Sequence, residues 1–163
     1  MGTHGPAGEG VATLHLGDDA SSLAYADPSG ATRVLPLAFG LRQLVREVLK
    51  HTPPTPGELE QAIAVIEDEV MKVHKLLPAH AALRTTEACL WDVALVINPD
   101  AQAGLELSID AVEQVFDLLA ALSMGRPASM AGIPSDARFA AALLILRELM
   151  HHLHFRSIRI SRP

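Results

Sequence analysis

The chain opens on a run that leaves little freedom in how it can fold. Ala12-Thr-Leu-His-Leu-Gly-Asp-Asp-Ala-Ser-Ser-Leu-Ala-Tyr-Ala26 is followed directly by Asp27-Pro-Ser-Gly30. From Val11 to Leu16, the residues Ala12, Leu14 and Leu16 fall on one side and Thr13 and His15 on the other, the period-2 pattern of a strand. Segments 22–26 and 32–37 predict two further strands. Pro at the second and Gly at the fourth position of Asp27–Gly30 suit a type I turn between them. The fold therefore starts as a three-strand antiparallel meander. Its first hairpin turns at Gly17 in the layout of a loop that cradles phosphate.

Helical periodicity takes over at residue 41. Leu41, Leu44, Val45, Val48 and Leu49 recur at helical spacing opposite Arg42, Arg46, Glu47 and Lys50, and His51-Thr-Pro-Pro-Thr-Pro56 breaks the helix. Thr55-Pro-Gly-Glu58 is a capping box with Pro at the first helical position. The helix it starts turns Leu59, Ala62, Ile63, Ile66, Val70, Val73 and Leu77 inward and stops before Pro78. Segment 81–86 predicts a short inner strand feeding a helix from near Thr86 through Trp91. Residues 93–97 either continue that helix or form a buried strand, because so short an apolar run fits both periods. Ser108 is an N-cap for a helix over 109–122, a last long helix runs from about Asp136 to Leu153, and 157–161 closes the chain as a strand.

Composition bounds the class. The 163 residues are enough for one domain with a substantial core, and 49% of them are apolar. We expect residues 1–10 to be flexible and 11–163 to form a single α/β domain. The net charge of −6 argues against nonspecific nucleic-acid binding, which rests on clustered Lys and Arg. Cys89 is the only cysteine, so no intrachain disulfide forms, and its apolar helical setting reads as a packed thiol. No leader pattern and no run long enough for a bilayer is present, which makes a cytoplasmic protein the expectation.

Three blocks give the chain a relative. Leu14-His-Leu-Gly17 is similar to an Asp-Leu-Gly-Ser-Asn phosphate loop. Thr55 to Met71, with Leu83-Arg-Thr-Thr-Glu-Ala-Cys-Leu-Trp-Asp-Val93, resembles a long helix followed by an Ala-Thr-Ser-Ala-Leu-Arg strand-to-helix segment. Ile133 to Arg147, through Ile158-Arg-Ile-Ser161, resembles the helix and strand that precede adenosine-side glycines. In this order the blocks resemble a shortened member of the exopolyphosphatase / guanosine pentaphosphate phosphohydrolase (Ppx/GppA) family. That family belongs to the actin-like, ribonuclease-H-like ATPase superfamily. The resemblance implies an α/β ribonuclease-H-like domain, with the meander extended by later strands and covered by helices.

The departures decide the chemistry that the resemblance implies. His15 stands where the family needs an acidic residue to hold its metal, and no Gly-Glu-Glu-Glu-Ala segment lies between Trp91 and Ser108 to activate water. The second phosphate loop is missing, and the chain ends at Pro163 where further family segments would follow. Imidazole is a poor Mg²⁺ ligand beside carboxylate. Asp18 and Asp19 are candidate replacement metal ligands, although Asp-Asp after Gly reads more simply as a solvated turn. The expectation is a degenerate, non-catalytic module needing no cofactor. It assembles with itself or binds phosphate or another small anion at Gly17, Ser21, Ser22, Arg84, Thr85 and Thr86. The alternative is a reduced phosphohydrolase acting on polyphosphate or a nucleotide polyphosphate with Mg²⁺.

Other constellations have plainer readings. Arg84 is an anion ligand at a strand end, or else it stacks on Trp91 or pairs with Asp92. His151 and His154 share a helix face, but a Zn²⁺ site needs more ligands, and cationic groups suit a helix C-terminus. Glu67-Asp68-Glu69 reads as a solvated face, since helical neighbours diverge. Leu143, Leu146 and Met150 belong to an apolar surface wider than one stripe. That surface is either a homodimer interface or the mark of a helix central to the monomer.

Overall fold

A computed structural model describes residues 10–163. The expected flexible stretch at residues 1–10 lies outside the described residues except for Gly10. The meander is present: β1 (Val11–Leu16), β2 (Ser21–Ala26) and β3 (Thr32–Leu37) pair antiparallel in sequence. Then come α1 (Leu41–Glu47), α2 (Pro56–Val73), β4 (Ala82–Thr85), α3 (Ala88–Ile97), β5 (Gly104–Ser108), α4 (Ile109–Ser123), α5 (Ala137–His152) and β6 (Ser157–Ser161). The six strands form one mixed sheet in the order β3-β2-β1-β4-β6-β5. β1, β4 and β6 run parallel, and β5 returns antiparallel beside β6.

Local chemistry explains most of these limits. Thr55 accepts a bond from the Glu58 amide while the Glu58 carboxylate accepts from the Thr55 amide, so the capping box is closed in both directions. Ser108 and Asp136 cap α4 and α5 through the amides of Ala111 and Phe139. Residues 93–97 are helical, which settles the ambiguity of that run: α3 continues through them to Ile97. β5 has no counterpart in the sequence reading. Its signal is the alternation Leu105-Glu-Leu107 just ahead of the Ser108 cap, with Leu107 buried.

α5 organises the interior. Every residue from Ala140 to Leu146 is fully buried, as are Leu149 and Met150. A helix apolar on all sides has to be enclosed, and α1, α2, α3 and α4 all pack against it. Leu143, Leu146 and Met150 are therefore core residues of one chain, and their assignment to an intermolecular interface is corrected. The width of the apolar surface reflects four helical neighbours within the monomer.

Among the described residues the sheet is covered on one face only. Ala12, Leu14, Leu23, Leu37, Leu83, Leu107, Ile158 and Ile160 are buried on the helix side. The alternate positions, Thr13, His15, Ser22, Ala24, Val34, Arg84, Glu106 and Arg159 among them, are all at least partly exposed. Among the described residues no helix is long and apolar enough to cross a membrane.

The capping box carries a simple expectation. Thr55→Ala leaves the Glu58 amide without its partner and should destabilise the protein by about 1 kcal/mol. For a domain of this size, that lowers the melting temperature by roughly 2–4 °C in a thermal denaturation scan.

Candidate functional site

The loop between β1 and β2 is fixed by α1. The Gly17 amide donates to the Ala20 carbonyl at 3.0 Å, closing the turn. The Leu41 amide donates to the Gly17 carbonyl at 2.9 Å, and that of Gln43 to the Asp18 carbonyl at 3.0 Å. Two amides at the α1 N-terminus, which could otherwise meet an anion, are thus spent on the loop itself. Gly40 permits the approach, because a Cβ there would lie 2.3 Å from the Asp18 carbonyl oxygen and 2.5 Å from the Asp19 nitrogen.

Behind the loop, at the ends of β1 and β4, lies a cavity of about 250 Å³. Leu16, Glu87, Cys89, Asp92, Asp136 and Arg138 are among its walls. The Glu87 carboxylate does not cap its own helix; it reaches across to accept from the Leu16 amide at 3.1 Å. His15 Nδ1 stands 3.8 Å from the same carboxylate oxygen. Asp136 is committed to the α5 N-terminus, and the Arg138 guanidinium donates to Asp18 at 3.1 Å. Three carboxylates and one guanidinium around one small cavity give it an acidic balance that disfavours a polyanion. Burial first, and the Glu87 charge second, push the Cys89 thiol up to about 11.

The proposed anion ligands do not converge. Ser21 is buried and its hydroxyl donates to the Phe39 carbonyl at 2.9 Å. Thr85 is buried too; its hydroxyl donates to the Leu14 carbonyl and accepts from the Glu87 amide. Both side chains hold the fold together. Ser22 and Arg84 lie on the open sheet face, where Ser22 pairs with His15 and Arg84 with Thr13 in the ladder. Arg84 Nε donates to Thr13 Oγ1 at 3.0 Å, so neither the stack on Trp91 nor the pair with Asp92 forms. Its ladder partner Thr13 lies four residues before Gly17 along β1, about 13 Å away. Thr86 is exposed just beyond β4. Gly17 alone of the set belongs to the loop, while Glu87, Asp92 and Arg138 are the cavity residues the sequence reading passed over. The strand-to-helix junction after Thr85 was the available signal, because such junctions end at the sheet edge where ligands are met.

The two aspartates of the loop are engaged as well. Asp19 accepts from Arg42 at 2.6 Å, as Asp18 does from Arg138. Mg²⁺ requires oxygen ligands in near-octahedral array. An imidazole, two ion-paired aspartates and a glutamate holding a backbone amide do not fit that requirement.

The chain is an α/β domain built on one mixed six-stranded sheet. More particularly, it has a Ppx/GppA-like fold. It superposes on the crystal structure of the Aquifex aeolicus Ppx/GppA family member with a TM-score of 0.70 at 15% identity, over 95% of this chain and 53% of that one. A second structure, of the Aquifex aeolicus PPX-GPPA enzyme, gives 0.73 at 17% identity over 95% and 54%. An exopolyphosphatase from Cytophaga hutchinsonii gives 0.71 at 12% identity over 94% and 53%. The chain thus spans about half the length of the structures it matches. No protein-family model and no curated protein matches it.

Two outcomes follow from the junction. Gly40→Ala drives a methyl group into the Asp18 backbone and should cost about 1–3 kcal/mol in a denaturant titration, the usual scale of overpacking. Cys89 should react slowly with a thiol-directed reagent at pH 7–8 and faster as the pH climbs toward 11, because the thiolate is the nucleophile. Rapid labelling of the folded protein at pH 7 would contradict that thiol environment.

Proposed function

We propose that this chain is a non-catalytic, exopolyphosphatase-related module that works by association, with a second copy of itself as its partner. The observation that carries the reading is the bare sheet face. All-parallel sheets are ordinarily covered on both sides; this mixed sheet has parallel strands β1, β4 and β6 at its centre, yet among the described residues α1 to α4 all lie on the side of α5. The open face is built from small residues such as Thr13, Ser22, Ala24 and Gly104, with Val34 58% exposed. Arg84 and Arg159 share it with Glu106, a mix of charges that a two-fold axis can pair across two copies.

The donor set supports the absence of turnover. Phosphoryl transfer depends on charge neutralisation and on an oriented water, and the carboxylates of Asp19, Asp18 and Glu87 are already tied to Arg42, Arg138 and the Leu16 amide. The same acids make the loop a poor seat for phosphate. A phosphohydrolase reading would have to draw on Glu87 and Asp92 after release of Asp18 from Arg138.

Purified protein with Mg²⁺ should release no phosphate above background from polyphosphate, ATP or a guanosine pentaphosphate. Turnover that vanishes in an Asp18→Asn, Asp19→Asn variant overturns the non-catalytic reading. In sedimentation velocity the wild type should run as a dimer, and Ala24→Arg as a folded monomer. A monomer at every concentration overturns the association.

A further inference from the structure

The last turns of α5 meet α2 in a polar cluster. Glu67 of α2 and Glu148 and His152 of α5 bring a carboxylate oxygen, a second carboxylate oxygen and an imidazole nitrogen within 4.8 Å of one another. His152 Nε2 lies 3.0 Å from Glu148 Oε2 and 3.9 Å from Glu67 Oε1. Glu148 and His152 are four residues apart on one helix face, so both side chains point the same way. Among the described residues this is the one such set of three potential ligands. It joins one member of the acidic run at 67–69 to one of the histidines at 151–154, although each run by itself reads as ordinary surface.

The charge balance of the cluster is unusual. Glu148 is 3% exposed, and a buried carboxylate ordinarily comes with compensating charge. Its one guanidinium partner is Arg147, at 2.6 Å, and Arg147 is shared. Its Nε also donates to both oxygens of Glu113, at 3.0 and 3.1 Å, and its guanidinium stacks on Phe116 at 3.9 Å. Among the described residues Glu67 has no Lys or Arg within ion-pair distance; its one such neighbour is His152. Glu113 and Glu148 therefore share one guanidinium and Glu67 has only an imidazole beside it, so carboxylates outnumber guanidinium groups three to one at this partly buried place.

We propose that Glu67, Glu148 and His152 form a binding site for a divalent transition metal, Zn²⁺ in the first instance. Imidazole and carboxylate oxygens together suit Zn²⁺, whose sites with three protein ligands leave a fourth position for water. Ligand bonds of about 2.0–2.2 Å hold neighbouring donors a little over 3 Å apart. The His152–Glu148 spacing already meets this, and the half-exposed Glu67 side chain closes the remaining gap by a rotamer change. A dication also offsets the charge that Arg147 leaves uncompensated. By joining α2 to the end of α5, the ion clamps the helix that the rest of the core encloses. The site lies apart from the cavity behind the Gly17 loop and shares no residue with it.

Titration calorimetry of chelator-treated protein with Zn²⁺ should show one equivalent bound. Co²⁺ in its place should give visible d–d bands. Glu67→Gln, at the surface, and His152→Gln should each weaken binding by at least tenfold with an unchanged far-UV spectrum. His151→Gln should bind as the wild type does. Zn²⁺ should also raise the melting temperature of the wild type and not that of the Glu67→Gln, His152→Gln double variant. Absence of a stoichiometric site, or binding that survives the double variant, overturns the proposal.

Discussion

One constraint shapes most of this molecule: α5 has almost no aqueous face. Nine of its residues, Ala140 to Leu146 with Leu149 and Met150, are fully buried, so water is excluded all the way round. Burying each large apolar side chain contributes on the order of 1.5–3 kcal/mol, and only neighbours on every side supply that burial. α1, α2, α3 and α4 provide them. Among the described residues no other α-helix is left over. The bare face of the sheet is the geometric consequence of enclosing α5.

The same enclosure accounts for how much could be read from sequence. Elements set by local chemistry were legible: the meander from its alternation and its Pro-Ser-Gly turn, α2 from the Thr55–Glu58 box, α4 and α5 from Ser108 and Asp136. β5 was not, because five residues with Leu105 and Leu107 make a weak alternating signal until β6 is beside them. The apolar width of α5 was visible, but width has two causes. A missing partner and four neighbours within the chain produce the same pattern, and tertiary structure alone tells them apart.

The site was less legible for a reason of a different kind. Residue types that bind phosphate also build folds, and Ser21 and Thr85 were hydroxyls of the second sort, each donating to a buried carbonyl. Strand alternation does separate part of the set. Leu83 and Thr85 face the core while Arg84 faces away, so Arg84 and Thr85 were never able to line one pocket. Glu87 was hidden by its position, because an acidic residue at a helix start ordinarily does no more than complement the helix dipole. Its carboxylate instead bridges to the Leu16 amide, and no local rule anticipates a bond between residues 71 apart.

The sign of the charge ties these places together. A loop that holds phosphate presents unspent amides and cations. Here the carbonyls of Gly17 and Asp18 consume the amides of Leu41 and Gln43, and the nearest guanidinium groups are spent on Asp18 and Asp19. The cavity behind it keeps Glu87, Asp92 and Asp136 against Arg138. At the far end of α5, Glu113 and Glu148 share Arg147, and Glu67 has His152 as its neighbour. Both places carry more carboxylate than guanidinium, in a protein whose net charge is −6. A fold shared with phosphate-handling structures does not carry their ligand preference with it. Recognition follows the local field, and in this chain carboxylates outnumber guanidinium groups at both ends of α5.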